Sequence, residues 1–127
     1  MMYTYHASIV RVVDGDTIDC DVDLGFHLRA RLRFRLLWYD APEMTGPEKI
    51  LGLQARDHLE LLATGLEVML RTAKGDSFGR WLCDVILPNG DDLVTELVAD
   101  GWGVRWDGKG QRPQFGLTLP YPNKVVP

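Results

Sequence analysis

The chain has 127 residues, of which 46% are hydrophobic and 25% are charged. This length fits a single folded domain, and the composition excludes a disordered or fibrous protein. The formal net charge of −4 excludes a globally basic surface, so any polyanion would have to be bound locally.

Hydrophobic periodicity predicts five strands and two helices, followed by a loop-rich end. The predicted segments in chain order are a strand at 7–15, two strands within 17–38 that are separated near Gly25, a helix at 46–65, strands at 66–74 and 81–87, and a helix at 91–101. Beyond Trp102 glycine and proline become frequent, and we expect mostly loop. Five short strands with two helices favour an antiparallel barrel with the helices packed at its ends. We therefore expect a mainly β, α+β domain over residues 1–105 and a Gly/Pro-rich C-terminal tail over residues 106–127, packed on or near it.

Both helices carry residues that commonly begin or end a helix. Gly65 suits the end of the first helix, and the second is predicted to begin at Asp91 or Asp92 and to end at Gly101. Helical spacing points one set of first-helix side chains inward: Leu51, Ala55, Leu59 and Leu62.

The hairpin strands carry opposite charges on one face. These residues are Asp19, Asp21 and Asp23 on the first strand, and Arg29, Arg31, Arg33 and Arg35 on the second. Antiparallel pairing about Phe26 sets the three aspartates opposite the first three arginines. A row of arginines could bind nucleic acid, but the matched aspartates favour a solvent-facing ladder of ion pairs, each worth about 0.2–1 kcal/mol. Arg35 is the exception, since it faces the uncharged Thr17 and its guanidinium is available for another partner.

Two further aspartates lie at the ends of predicted strands. Asp16 stands one residue before the first hairpin strand and Asp40 ends the second, so both can reach one end of the barrel. Taken alone, "DGDT" and "DAPE" are ordinary turns, and this is the simpler interpretation. Two converging carboxylates repel each other unless a cation or a shared proton intervenes. Oxygen ligands without His or Cys favour Ca²⁺ or Mg²⁺ over zinc.

The two cysteines, Cys20 and Cys83, each lie in an apolar strand-like segment. This predicts buried, unpaired thiols instead of a disulfide or a zinc site. No signal-peptide pattern is visible at the N-terminus, and no segment approaches the roughly 18 apolar residues of a membrane span. We expect a cytoplasmic protein that does not bind a membrane.

Three segments occur in a characteristic order: "VVDGDTI", "FRLLWYDAPE" and "GDSFGRWL", with the predicted first helix between the second and the third. Each is a weak signal alone. Together they resemble the signature segments of the staphylococcal nuclease (thermonuclease-like) family, over about Ala7 to about Trp102.

This resemblance implies a five-stranded OB-fold barrel that hydrolyses phosphodiester bonds of DNA or RNA with Ca²⁺, or with Mg²⁺. The groups it assigns to the metal are Asp16, Asp40 and the main-chain carbonyl of Ala41. By the same resemblance Arg35 and Arg80 would hold the phosphate, and Glu43 would act on the attacking water. Because these contacts fall on phosphate or metal, little base selectivity is expected.

Four features depart from the family pattern. Ala41 stands at a threonine position, which is harmless for a carbonyl ligand, and Phe78 replaces a tyrosine before "GR". The hairpin is several residues longer, and the Gly/Pro-rich tail replaces a long C-terminal helix. The tail residues that could form a substitute patch for base stacking and phosphate binding are Arg105, Trp106, Lys109 and Arg112. A solvated tail anchored by a tryptophan is the simpler interpretation.

Other conspicuous residues are given structural roles. Trp38, Trp81 and Trp102 are predicted to pack in the core or at a barrel end. Glu48 lies in the first turn of a predicted helix, where the helix dipole favours glutamate.

Two functional hypotheses remain open. The first is a metal-dependent nuclease acting on DNA or RNA. The second is a non-catalytic OB-fold module that binds nucleic acid or protein, which the family also contains. Degenerate members lose the acids and arginines, whereas this chain retains all of them, so the sequence favours the enzyme.

Overall fold

The computed structural model describes residues 3–73, 75, 80–113 and 115. All the predicted segments are present within this part of the chain, with ends that differ by a few residues. In chain order the elements are β1 (Tyr3–Asp14), β2 (Thr17–Gly25), β3 (Leu28–Leu36), β4 (Tyr39–Asp40), a 3₁₀ turn (Gly46–Glu48), α1 (Lys49–Ala63), β5 (Glu67–Ala73), β6 (Trp81–Ile86), α2 (Leu93–Ala99) and β7 (Val104–Arg105).

Five strands close into a barrel in the order β1-β2-β3-β6-β5. The expected mainly β, α+β barrel is confirmed, but the expectation that it is antiparallel throughout is wrong at one pairing. β3 and β6 run parallel. The reason is parity, because a closed ring of five strands cannot alternate direction at every neighbour. The single parallel pairing brings the end of β3 beside the start of β6.

The β2–β3 hairpin has the predicted register. Thr17 lies opposite Arg35 and Asp19 lies opposite Arg33, and the pairing continues in step to Asp23 opposite Arg29. The closest ion pairs join Arg33 Nε to Asp19 Oδ1 at 2.8 Å and Arg29 Nε to Asp21 Oδ2 at 3.0 Å. Arg29 and Arg33 are therefore partnered across the strands, with Arg29 closer to the diagonal Asp21 than to Asp23 directly opposite, which lies 4.0 Å away. The predicted ion pair between Asp21 and Arg31 is not formed among the contacts of the described residues, although the two residues lie opposite each other.

The barrel interior is apolar and is closed by the helices. Among its fully buried side chains are Ile9, Ile18, Leu36, Leu59, Leu70, Val85 and Leu97. Cys20 and Cys83 are buried free thiols, as predicted. In α1 the inward positions Leu51, Ala55 and Leu59 are buried and Leu62 is partly buried. Asp92 caps α2 by accepting hydrogen bonds from the main-chain N–H groups of Val94 and Thr95.

The segment from Phe34 to Asp40 is not one continuous strand. β3 ends at Leu36, and Trp38 has a left-handed backbone with φ of 55°. The prediction that Asp40 ends the second hairpin strand is therefore wrong. Asp40 belongs to the separate strand β4. This reversal turns Asp40 back toward the end of the barrel.

β4 pairs with β7, which lies in the part of the chain predicted to be mostly loop. Tyr39 is paired with Arg105 and Asp40 with Val104. The main-chain N–H of Trp106 extends the contact by donating to the carbonyl of Trp38. The first residues after Trp102 are thus fixed against the segment that carries Asp40.

The predicted packing of the tryptophans is correct for one of the three. Trp102 is partly buried against the core and its ring stacks on His58, with centroids 4.1 Å apart. Trp38 and Trp81 are instead 62% and 48% exposed. Trp38 is exposed because it sits at the chain reversal, and Trp81 because it faces outward at the start of β6.

Some predictions fall on parts of the chain that lie outside the described residues. They concern Phe78, most of the "GDSFG" turn, and the tail from residue 116 onward. Within the described residues, neither helix has the length and apolar character needed to span a bilayer.

Candidate active site

An open cleft of about 390 Å³ lies at the end of the barrel where β2 begins and β3 ends. Five of the six residues predicted for the site line it: Asp16, Arg35, Ala41, Glu43 and Arg80. Asp14, Arg33 and Pro42 complete the lining. The sixth, Asp40, is only 1% exposed and does not line the cleft. The fold brings together residues that are far apart in the sequence, since Asp16 and Arg80 share one cleft.

Arg35 connects the two predicted metal-binding aspartates. Its Nη2 lies 3.4 Å from Asp16 Oδ2 and 3.2 Å from Asp40 Oδ1, and it donates a hydrogen bond to the main-chain carbonyl of Tyr39 at 3.1 Å. As predicted, its cross-strand neighbour is the uncharged Thr17. Arg35, which has no aspartate opposite it in the ladder, therefore contacts both Asp16 and Asp40.

Asp16 is a buried carboxyl group in an unfavourable electrostatic setting. Burial and the neighbouring Asp14 raise its pKa from 3.8 to about 8, against the opposing effect of Arg35. Its Oδ1 accepts a hydrogen bond from the Thr17 hydroxyl at 3.0 Å, and its Oδ2 accepts a longer one from the Ala41 N–H at 3.4 Å. A further cation near this carboxyl would favour its charged form.

Asp40 is buried between two arginines. Burial raises its pKa, while Arg112 and Arg35 oppose that shift. Arg112 Nε lies 3.1 Å from Asp40 Oδ2, which is an ion-pair distance. That oxygen nevertheless accepts no hydrogen bond from the described residues, so the contact is electrostatic and not a well-directed hydrogen bond. Oδ2 is a buried oxygen with unmet bonding capacity.

Glu43 and Glu48 form a second acidic pair at the mouth of the cleft. The Glu43 N–H donates to Glu48 Oε1 at 2.9 Å, while the Glu43 side chain is 60% exposed. Glu43 therefore has a fixed main chain and a carboxylate that solvent can reach. Burial acts to raise the pKa of Glu48, but the hydrogen bonds from Glu43 and Arg112 outweigh it and the net pKa is lowered.

Arg80 enters the cleft from the residue before β6. Its Nη1 donates to the Thr17 hydroxyl at 3.3 Å, and that hydroxyl donates in turn to Asp16. Arg35 and Arg80 also line a neighbouring cavity of about 330 Å³ that includes Trp38 and Trp106. Two guanidinium groups thus face the same region from β3 and from the start of β6.

Close backbone packing fixes the segment that carries the acids. A Cβ atom at Gly52 in α1 would collide with the main-chain carbonyl of Glu43, and one at Gly103 would collide with the Tyr39 ring. These glycines let the helix and β7 approach the Tyr39–Glu43 segment from two sides. Nothing in the local sequence pattern around them predicts this role.

Arg112 is the site residue that sequence reasoning assigned to a different role. It was a candidate for a phosphate-binding patch in the tail, yet its guanidinium contacts the acids. Nη2 donates to the Ala41 carbonyl at 2.8 Å and Nη1 to Glu48 Oε1 at 3.1 Å. Glu48 was likewise interpreted only as a residue of the first helical turn.

The residues present fit a hard divalent cation by their chemistry. Asp16, Asp40 and the Ala41 carbonyl offer only oxygen donors, which Ca²⁺ and Mg²⁺ prefer. Asp40 Oδ2 is a buried oxygen that accepts no hydrogen bond from the described residues, and burial together with Asp14 disfavours the charged form of Asp16. A bound cation would stabilise both carboxylates. Within the described residues, no three His, Cys, Asp or Glu side chains are arranged to hold a metal ion. The predicted ligand set contains only two such side chains, Asp16 and Asp40, because its third ligand is the main-chain carbonyl of Ala41.

Comparison with known proteins gives several similar sequences. The chain is 33% identical over 115 residues to a protein of Shigella flexneri named micrococcal nuclease, covering 83% of this chain and 62% of that protein. It is 32% identical over 96 residues to an uncharacterized endonuclease of Escherichia coli O157:H7, covering 76% of this chain and 58% of that protein. The chain therefore spans about three fifths of the length of these relatives. No protein-family model matches it.

Proposed function

Because the chain belongs to the staphylococcal nuclease family, we propose that it is a metal-dependent nuclease. Its substrate is DNA or RNA, its reaction is hydrolysis of the phosphodiester bond, and its base selectivity is low. The proposed metal ion is Ca²⁺, with Mg²⁺ as the alternative. A cytoplasmic location stays a prediction.

One observation carries the proposal. Arg35, Arg80, Asp16 and Glu43 line a single open cleft, and Arg35 links Asp16 to the buried Asp40. Two cations and several carboxylates within one cleft match what phosphodiester hydrolysis needs, namely groups that bind an anion and a group that takes a proton from water. A structural ion-pair network alone would not require an exposed glutamate beside the buried pairs.

Arg35 and Arg80 are the proposed phosphate ligands. Planar guanidinium groups bind phosphate oxygens through paired N–H donors and keep their charge at any physiological pH. As water attacks phosphorus and the bond to the leaving oxygen breaks, negative charge grows on the non-bridging oxygens. Donors that already face those oxygens stabilise that charge without reorganising. The phosphate is the only part of the substrate that the two arginines contact in this scheme, so the bases are not read.

Glu43 is the proposed base. Its main chain is fixed by Glu48 and Gly52, while its carboxylate is exposed at the mouth of the cleft. It would accept one proton from the attacking water as the new oxygen–phosphorus bond forms. The proposed metal ligands are Asp16, Asp40 and the Ala41 carbonyl. A divalent ion bound there would polarise the phosphoryl group as a Lewis acid.

A cleavage assay tests this proposal. Single-stranded DNA and RNA are incubated with the full chain in Ca²⁺, in Mg²⁺ or in excess chelator, beside the Glu43→Gln variant. We expect cleavage with Ca²⁺, loss of cleavage with chelator, and strong reduction in the variant. If the parent protein binds single-stranded DNA but cleaves nothing with any divalent ion, the non-catalytic OB-fold module replaces this proposal.

A further inference from the structure

Arg112 reaches the acidic cluster from the segment that follows β7. Its guanidinium contacts the Ala41 carbonyl at 2.8 Å, Asp40 Oδ2 at 3.1 Å and Glu48 Oε1 at 3.1 Å. Glu43 Oε1 lies 3.5 Å from the same group. One side chain thus spans three carboxylates and a main-chain carbonyl.

Two of these partners are also proposed metal ligands, Asp40 and the Ala41 carbonyl. Both oxygens of Asp40 already have a cationic neighbour, because Arg35 lies at Oδ1 and Arg112 at Oδ2. With 1% of Asp40 exposed, a metal ion cannot reach its carboxylate unless one of the two arginines moves. Two cations sharing the same oxygens would also repel each other strongly in a buried setting.

Arg112 is the arginine that can move. Arg35 is part of β3 and is held within the barrel by pairing with Thr17 and Leu82. Arg112 lies outside every strand and helix, two residues after Gly110, which has a positive φ of 71°. Moving Arg112 together with its loop therefore disturbs no strand or helix, whereas the main chain at Arg35 is fixed between two strands.

We propose that Arg112 is an internal counter-cation of the acidic cluster, and that a divalent cation binds this chain by displacing it. The inference rests on the proposed metal site. Its consequence is that the segment around Arg112 covers the acids in the metal-free protein and leaves them when the ion binds. Metal affinity is then set partly by a residue that is not a ligand.

Calcium affinity of the full chain tests this directly. Titration calorimetry with Ca²⁺ compares the parent with Arg112→Gln, which keeps most of the side-chain volume but removes the charge. We expect the variant to bind Ca²⁺ roughly tenfold or more tightly, in the range typical of coupling between two binding events. Equal or weaker binding would overturn the inference, since Arg112 would then be neutral toward the ion or would support its site.

Arg105→Gln is the matched control. It removes the same charge from the neighbouring strand β7, where Arg105 donates to the Thr95 hydroxyl at 2.8 Å. We expect its Ca²⁺ affinity to stay close to that of the parent. A gain equal to that of Arg112→Gln would show a general charge effect and would also overturn the inference.

A spectroscopic readout distinguishes displacement from simple competition of charges. The Nε–H signal of Arg112, assigned by its absence in Arg112→Gln, reports the contact with Asp40. We expect Ca²⁺ to move this signal to the position of a solvent-exposed arginine. An unchanged signal in the calcium-saturated protein would mean that arginine and metal bind together, which contradicts the proposal.

These measurements separate this inference from the proposed nuclease. Tighter Ca²⁺ binding by Arg112→Gln without DNA cleavage by either protein would support the displacement and reject the nuclease. If the parent cleaves DNA with Ca²⁺ and Arg112→Gln has the same Ca²⁺ affinity as the parent, the nuclease is supported and the displacement is rejected. If Arg112→Gln binds no Ca²⁺ at millimolar concentration, removal of Arg112 opens no metal site and the inference fails.

Discussion

Arg35 Nη2 lies 3.2 Å from Asp40 Oδ1, across the chain reversal at Trp38. This contact joins a proposed phosphate ligand to a proposed metal ligand. Because Asp40 is buried, removing either partner leaves the other without part of its charge compensation. Effects of substitutions at these two positions should therefore not be additive.

Replacing the proposed phosphate ligands should reduce turnover. We expect Arg35→Ala and Arg80→Ala each to lower kcat by on the order of 10²–10³, as loss of one such donor typically does. The loss should persist at saturating Ca²⁺, because the phosphate contact is missing even when the metal site is full. Steady-state cleavage of single-stranded DNA measures it.

Arg33→Ala is the control for that experiment. Arg33 lines the same cleft from the same face of β3, but its guanidinium is paired with Asp19 at 2.8 Å. Its removal should leave kcat within a few-fold of the parent. A loss as large as that of Arg35→Ala would show that general positive charge, not a specific phosphate contact, governs turnover.

Replacing Asp40 should weaken metal binding. We expect Asp40→Asn to be inactive at a Ca²⁺ concentration that saturates the parent, and to regain part of its activity when Ca²⁺ is raised. The remaining ligands, Asp16 and the Ala41 carbonyl, are unchanged in this variant. Calcium titrations of turnover measure the shift, with Asp21→Asn in the ion-pair ladder as the control. Activity that does not respond to added Ca²⁺ would argue against a metal role for Asp40.

The β2–β3 register and the convergence of Asp16 with Arg35 were predictable because they depend on short-range order. Alternation with period two fixes which side chains share a face, and one turn fixes the pairing. The number and length of the strands do not reveal the parallel β3–β6 pairing, because it follows from how five strands close into a ring. The break at Trp38 was missed because an apolar run gives no sign of a left-handed residue.

Contacts between distant parts of the chain were the least predictable. Arg112 lies 72 residues from Asp40, and no periodicity connects a glycine-rich tail to one carboxylate. β7 has two residues, too few for a pattern to be detected. Gly52 and Gly103 matter only through the backbone that approaches them. The residue types of the candidate site could be recognised in the sequence, whereas the contact between Arg112 and Asp40 could not.

Glu43→Gln should slow the chemical step selectively. The amide cannot accept a proton from water, and general acid–base catalysis typically contributes 10²–10⁴-fold in rate. Because Glu43 is not a proposed metal or phosphate ligand, Ca²⁺ affinity and DNA affinity should change little. Single-turnover kinetics beside equilibrium binding measure the two effects. Unchanged single-turnover rates would remove Glu43 from the proposed mechanism.

Gly52→Ala should destabilise the protein, although alanine is normally the better helix former by about 1 kcal/mol. A methyl group at this position meets the main-chain carbonyl of Glu43, and overpacking of this kind costs about 1–3 kcal/mol. Urea denaturation measures the free energy of unfolding. Gln54→Ala, at an exposed position of the same helix, should be neutral or slightly stabilising. Stabilisation by Gly52→Ala would mean that the helix does not press on the Glu43 segment.

The pKa of Asp16 predicts a pH-dependent stability in the absence of metal. Burial and Asp14 raise this pKa from 3.8 to about 8, so between these values the folded chain binds more protons than the unfolded chain. Stability from this group is fully present below about pH 4 and is lost as the pH rises through about 8. In excess chelator, Asp16→Asn should therefore match the parent most closely near pH 5 and become the more stable protein toward pH 9. Urea denaturation at pH 5, 7 and 9 measures the difference in free energy of unfolding between Asp16→Asn and the parent.

Asp19→Asn is the opposite case. The hydrogen bond from Arg33 lowers the pKa of Asp19, so removal of this carboxylate should destabilise the protein at neutral pH. A difference between Asp16→Asn and the parent that does not vary with pH would show that Asp16 is ionised throughout this range.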